Sequence, residues 1–111
     1  MESNKIEIIW TQPALNRLDE IYEYLAQIAK SVGPAIRVTD SIFDRTNQLK
    51  SFPESGSKEP LLQRIGQDSR YLVEGNYKII YEYHPIHQMV IITDVFDTRQ
   101  EPEKIERRPE S

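Results

Sequence analysis

The chain has 111 residues, of which 38% are hydrophobic and 29% are charged, and its formal net charge is −4. This length suits one domain, and the composition is that of a globular protein rather than a disordered or membrane-spanning one. The sequence contains no cysteine, which excludes disulfides within the chain, thiolate metal ligands and a thiol nucleophile. The negative charge also argues against a general nucleic-acid binder, because such proteins need an excess of Lys and Arg.

The N-terminal residues have neither the basic region nor the apolar core of a signal peptide. No apolar run approaches the roughly 20 residues that a membrane helix requires. We therefore expect a cytoplasmic protein without a membrane partner. Residues 1–111 are predicted to form one domain, with 109–111 as a frayed tail.

The first third of the chain predicts a strand followed by a helix. Ile6, Ile8 and Trp10 alternate with other residues, which is typical of a strand with one buried face. Thr11 is a suitable N-cap, and Pro13 falls in the first helical turn, where its missing N–H costs little. Apolar residues then recur at helical spacing. They are Ala14, Leu18, Ile21, Leu25 and Ile28.

A second helix is predicted from Pro34 to about Ser51, with an apolar stripe that is interrupted at Arg45 and Thr46. Residues 52–60 are rich in Pro, Gly and Ser, which indicates a surface loop with no obvious partner strand. Residues 61–66 fit either a strand or an irregular segment.

Three strand-like runs follow, at 70–73, 77–83 and 89–96, and they predict an antiparallel meander. The middle run places its tyrosines on one side and Lys78 and Glu82 on the other, so these two face outward if the tyrosines meet the helices. A short helical turn is predicted at 103–108. The fold class is α+β in two layers: an N-terminal strand and a helical hairpin packed on an antiparallel sheet of about four strands.

Four groups of residues carry a resemblance to a known family. They are Trp10-Thr11-x-x-Ala14 continued by Leu18, Ile21, Tyr22 and Tyr24; Leu49-x-x-Phe52-Pro53-x-x-Gly56; Arg70-x-Leu72 followed by 75–81; and Asp97-Thr98-Arg99-Gln100. In this order and spacing the chain resembles the RelE/ParE family of bacterial type II toxin-antitoxin toxins, also called plasmid stabilisation proteins. The same α+β fold is what the resemblance implies.

The resemblance also implies an activity and partners. Some members cut messenger RNA in the ribosomal A site, and others bind and inhibit DNA gyrase. Each is held inactive by a small antitoxin whose flexible segment wraps the toxin. We therefore expect a cognate antitoxin, a target that is either DNA gyrase or the ribosome with its mRNA, and contact with DNA only indirectly through the antitoxin.

Lys78 and Arg99 are the candidate catalytic residues under the endoribonuclease alternative, since RNA cleavage without a metal needs cations to stabilise charge on the phosphate. Lys78 stands where RNA-cutting members carry Arg, the better bidentate clamp. These members also place a Tyr or His after the last strand, and residues 100–111 contain neither. Tyr71, Tyr81 and Glu82 are the remaining candidates for proton transfer. This pattern favours a toxin that acts by binding a target such as gyrase.

Arg70, Lys78, Glu82 and Arg99 are the candidate partner-binding residues. The structural alternative is cross-strand ion pairing on a solvated sheet face, and for Arg70 it is an anchor to a carboxylate at the edge of the core. The tyrosines fit core packing better than base stacking. The two histidines, at 84 and 87, lie in a turn with no third ligand nearby, so no metal or other cofactor is expected. A degenerate toxin that only binds its antitoxin remains a third hypothesis.

Overall fold

A computed structural model of the protein describes residues 5–58 and 69–99, in which two helices pack on one face of a five-stranded sheet. The strands are β1 (Glu7–Trp10), β2 (Ser57–Lys58), β3 (Arg70–Glu74), β4 (Tyr77–His84) and β5 (Met89–Asp97). The helices are α1 (Gln12–Ala29), α2 (Gly33–Arg45) and a 3-10 helix (Thr46–Lys50). The segment 61–66, the predicted turn at 103–108 and the tail lie outside the described residues.

The sheet confirms the predicted meander and adds two features. Its order is β1-β5-β4-β3-β2, with β3, β4 and β5 antiparallel to one another. β1 lies parallel to β5, with Glu7 opposite Met89, and the short β2 pairs with β3 where the sequence indicated only a loop. The sheet is therefore mixed and has five strands rather than about four. Alternation identifies a strand and its buried face, but it does not identify the strand's partner or direction.

Thr11 connects β1 to α1 and fixes the start of the helix, as its position predicted. Its hydroxyl accepts a hydrogen bond from the amide of Ala14 at 3.3 Å and donates one to the carbonyl of Ile92 at 2.9 Å. The same residue therefore caps the helix and ties it to β5. α1 ends at Ala29, and its C-cap residue Lys30 has a left-handed backbone conformation.

The interruption of the second apolar stripe marks the place where the helix type changes. α2 ends at Arg45, and the 3-10 helix that follows has three residues per turn, which brings both Thr46 and Leu49 into the core. The hydroxyl of Thr46 donates to the carbonyl of Phe43 at 2.7 Å, so its burial leaves no unpaired donor. Arg45 turns outward and donates to the carbonyl of Val73 at 2.9 Å.

The two faces of the sheet differ as the tyrosine pattern predicted. Tyr77 and Tyr81 are buried in the core beneath the helices, together with residues such as Ile42. Lys78 and Glu82 lie on the opposite face by strand alternation, where Ile80 belongs to a second, smaller cluster. Among the described residues, no helix is long and apolar enough to span a bilayer.

Candidate interaction site

The structure distributes the four predicted site residues over three separate environments. Arg70 lies at the start of β3, directly opposite Tyr81 of β4. Lys78 and Glu82 lie on the face away from the helices. Arg99 follows the end of β5, beside a groove under α1. The predicted residues therefore share one sheet, but they do not form one cluster.

Arg70 and Tyr81 fix the loop that follows the 3-10 helix. The Nη1 group of Arg70 donates to the carbonyls of Glu54 and Gly56 at 3.2 and 3.0 Å, so its hydrogen-bond partners within residues 5–58 and 69–99 are backbone groups. The hydroxyl of Tyr81 donates to the carbonyl of Pro53 at 2.8 Å and accepts from the amide of Gly56 at 2.9 Å. We call Pro53, Gly56, Arg70 and Tyr81 the loop clamp.

The loop clamp explains why the Phe-Pro-x-x-Gly pattern ends in glycine. A Cβ atom on Gly56 would lie 2.6 Å from the carbonyl oxygen of Tyr71 and 2.7 Å from the hydroxyl of Tyr81. Both distances are too short for any side chain, so the backbone approaches this closely only without one. Gly56 therefore serves a structural role.

Tyr81 was a candidate for proton transfer, but its environment suits a structural role. The residue is 0% exposed, and its hydroxyl already has an acceptor and a donor within the protein. Burial raises the pKa of the phenol above its ordinary value of 10. The phenol proton of Tyr81 is therefore harder to remove than that of a free tyrosine, and it is not in contact with solvent.

On the opposite face, Lys78 and Glu82 have different neighbours. The ammonium of Lys78 lies 4.2 Å from the centroid of the Tyr71 ring, a cation–π arrangement. Glu82 contacts Nε2 of His84 at 3.1 Å, two residues further along the same strand. Four residues along a strand place the Cα atoms of Lys78 and Glu82 about 13 Å apart, and each side chain has a different neighbour.

Arg99 forms a bidentate pair with Asp97. Its Nε and Nη2 groups donate to the two carboxylate oxygens at 3.0 and 2.8 Å. This hydrogen-bonded pair lowers the pKa of Asp97 and raises that of Arg99, since each ion favours the charged form of the other. Burial and then the charge of Asp97 raise the pKa of neighbouring Tyr77.

The Arg99 groove has a volume of about 560 Å³ and runs between α1 and the end of β5. Its lining residues are Arg17, Glu20, Ile21, Tyr24, Tyr77, Val95, Phe96, Asp97 and Arg99. Arg17 donates to Asp94 at 3.0 Å and to Glu20 at 3.2 Å. Both arginines of the groove are therefore matched by carboxylates, so the described lining residues carry no excess of positive charge to attract a phosphate.

The turn between the helices exposes apolar side chains that sequence reasoning missed. Ile28, Val32 and Ile36 are all exposed, and we call them the hairpin patch. The sequence stripe assigned Ile28 to the buried face, but its side chain is 61% exposed. The core takes in Ala14, Leu18 and Ile21 from that stripe, so the helical spacing continues beyond the part of α1 that the sheet covers.

Comparison with known proteins agrees with this architecture. The family model described as the ParE toxin of the type II toxin-antitoxin system parDE matches residues 8–102. A structure of the chromosomal ParDE system from P. aeruginosa superposes with a TM-score of 0.67 at 16% identity, over 86% of this chain and 98% of that one. The RelBE2 toxin-antitoxin complex of Mycobacterium tuberculosis gives a TM-score of 0.61 at 16% identity, over 84% and 98%. No curated protein matches the chain.

At these identities the two structures support the fold alone, whereas the family model covers most of the sequence. The match to the family model confirms the resemblance found in the four groups of residues. The chain belongs to the ParE toxin family of type II toxin-antitoxin systems.

Proposed function

We propose that this toxin arrests growth by binding and inhibiting a cellular target rather than by cutting RNA, and that the target is DNA gyrase. It acts in the cytoplasm, and a cognate antitoxin encoded beside it holds it inactive. The observation that carries this proposal is the separation of Lys78 from Arg99. RNA cleavage without a metal needs its cations and its proton-transfer groups around a single phosphate.

The two cations face different sides of the sheet. Lys78 lies over the ring of Tyr71 on the face away from the helices. Arg99 lines a groove with Tyr24 and Tyr77 on the helix side. Its Nε and Nη2 groups both donate to the carboxylate of Asp97. A phosphate bound by one of these cations is therefore out of reach of the other.

The candidates for proton transfer do not gather around both cations. Tyr81 is buried in the loop clamp. Tyr71 lies against the ammonium of Lys78, on the face away from Arg99. The Cα atom of Glu82 lies about 13 Å from that of Lys78 along the strand. Within residues 5–58 and 69–99, no acid and base flank both cations. An inhibitor that acts by binding needs no such arrangement.

The hairpin patch supplies a surface for the target. Its three aliphatic side chains are exposed around the turn between α1 and α2, and apolar side chains left exposed close together are a feature of protein interaction sites. We propose that Ile28, Val32 and Ile36 contact gyrase.

The test is to induce the toxin without its antitoxin and to follow DNA breaks, mRNA cleavage and viability in parallel. In a purified assay, the toxin is expected to inhibit gyrase supercoiling, and Ile28→Ser is expected to weaken that inhibition about tenfold or more. Ile86→Ser is the matched control, because Ile86 is 89% exposed at the distant turn between β4 and β5. This control is expected to inhibit like the wild type.

Two results would contradict the proposal. Cleavage of mRNA that precedes any DNA breaks and disappears in Lys78→Ala would identify an endoribonuclease. Normal growth after induction of the folded protein would identify a degenerate toxin that retains only antitoxin binding.

A further inference from the structure

We propose that an extended, acidic segment of the antitoxin adds to the outer edge of β1 as a further strand and places its apolar side chains in the groove beside that strand. This inference rests on the antitoxin partnership proposed above, and it goes further by naming the binding edge and the chemistry of the segment. Three independent features of β1 and its neighbours support it.

The first feature is the open backbone edge of β1. The strand stands last in the sheet, and the described parts of the chain place no strand on its outer side. The amide of Glu7 donates to Gln88 at 3.0 Å and that of Thr11 to Ile92 at 3.1 Å, so these residues face β5. Since backbone groups of alternate residues in a strand point to opposite edges, Ile8 and Trp10 present their N–H and C=O groups outward.

The second feature is the β1 groove, which has a volume of about 430 Å³ between β1 and the helices. It is lined by Lys5, Ile6, Glu7, Ile8, Trp10, Phe43, Thr46, Asn47 and Lys50. The ring of Trp10 stacks on Phe43 with centroids 5.5 Å apart, and Phe43 stays 50% exposed. A strand added to β1 would direct alternate side chains to the helix side of the sheet and thus into this groove.

The third feature is charge. The groove carries two lysines, Lys5 and Lys50, against a single carboxylate, that of Glu7. This local positive excess lies on a chain of net charge −4, so an acidic segment is attracted to the groove and repelled by much of the remaining surface. A second copy of the toxin fits less well, because a two-fold contact would bring the same lysines together.

The direct test is hydrogen exchange followed by NMR on the full-length toxin, free and saturated with its full-length antitoxin. In the free toxin, the amides of Ile8 and Trp10 are expected to exchange much faster than that of Ile9, which faces β5. In the complex, Ile8 and Trp10 are expected to become at least about tenfold more protected, whereas Ile9 changes little.

Two substitutions test the groove by affinity measurement. Lys50→Glu and Phe43→Ser are each expected to weaken antitoxin binding about tenfold. Arg37→Glu introduces the same charge change on the exposed surface of α2, and Ile86→Ser removes an exposed aliphatic side chain elsewhere. Both controls are expected to bind like the wild type. Circular dichroism melting establishes that each variant is folded.

The outcomes separate this inference from the proposed function. If the antitoxin binds with full affinity to both groove variants and leaves Ile8 and Trp10 exchanging, the proposed edge is wrong while the partnership stands. If the antitoxin does not bind at all, the partnership itself fails. Protection of Ile8 and Trp10 in the free toxin that grows with its concentration would identify a second copy as the occupant and overturn the proposal.

Discussion

The loop clamp and the hairpin patch differ in how far their side chains are used inside the protein. In the loop clamp, the hydroxyl of Tyr81 and the amide of Gly56 are paired inside the protein, and there is no space for one added carbon atom. In the hairpin patch, aliphatic side chains extend into solvent. The comparison indicates that the first region specifies the fold, whereas the second remains available for a partner.

Gly56→Ala tests the loop clamp most severely. The added methyl group meets the backbone oxygen of Tyr71, which cannot move without disturbing β3, so we expect a loss of about 3 kcal/mol in the free energy of unfolding. Urea denaturation measures it. Gly75→Ala is the control: Gly75 has a φ of +60° with open space around it, and Ala there should cost only about 1 kcal/mol. Equal losses at the two glycines would contradict the close approach.

Tyr81→Phe removes the hydroxyl and leaves the amide of Gly56 and the carbonyl of Pro53 without that partner. The expected loss is about 2 kcal/mol by urea denaturation. Tyr22→Phe, on the half-buried side of α1, should change the stability little. A stability equal to that of wild type would mean that the hydroxyl does not hold the loop.

The raised pKa of Tyr81 also predicts how the stability of the protein changes at alkaline pH. Burial raises the pKa of Tyr81 in the folded state above its unfolded value of about 10, so its contribution is fully present below that pH and is lost as the pH rises through the folded pKa. We expect the wild type to lose stability above pH 10 and Tyr81→Phe to lose it less steeply, since Tyr77 retains a raised pKa of its own. Melting temperatures between pH 8 and pH 11 measure the difference.

Arg99→Ala is expected to have a smaller effect, which is present near neutrality and absent in acid. Arg99 lowers the folded pKa of Asp97 below its ordinary 3.8, so the pair stabilises the protein above that pH and the contribution disappears as the pH falls through the folded pKa. The variant should therefore differ from wild type near neutrality and converge with it as the pH falls below the folded pKa of Asp97. Thermal melts across this range provide the measurement, and a constant difference at all pH values would contradict it.

Ile28→Ser should have the smallest effect on folding. Its side chain is mostly exposed, so the free energy of unfolding is expected to change by no more than about 0.5 kcal/mol. Urea denaturation of this variant measures the change, which can then be compared with the losses at Gly56 and Tyr81. A large loss of stability would show that the hairpin patch supports the fold after all.

Much of the fold could be predicted because several local signals agreed. Thr11 as a cap, the helical spacing from Ala14 and the tyrosine alternation of β4 each describe a short segment, and the structure confirms all three. The stripe broken at Arg45 and Thr46 was also a real signal, although its cause, a change to a 3-10 helix, is visible only in the structure.

The arrangement of the candidate site could not be predicted in the same way. Lys78 and Arg99 lie 21 positions apart in the sequence, and their relation depends on the pairing of β4 with β5. Lys78 pairs with Phe96 and Tyr77 with Asp97, so alternation places Arg99 on the side of Tyr77 and away from Lys78. No local sequence pattern marks the register between two strands. The carbonyl partners of Arg70 could not be predicted either, because every residue has a backbone carbonyl and the sequence does not indicate which one an arginine contacts.

The parallel pairing of β1 with β5 joins residues at nearly opposite ends of the chain, Glu7 with Met89 and Trp10 with Ile92. During synthesis, β1 therefore cannot pair with β5 until about 80 further residues have been translated. A nascent or prematurely terminated polypeptide that stops before Met89 lacks β5, the strand that joins β1 to the rest of the sheet. The complete sheet can therefore form only after β5 has been synthesised.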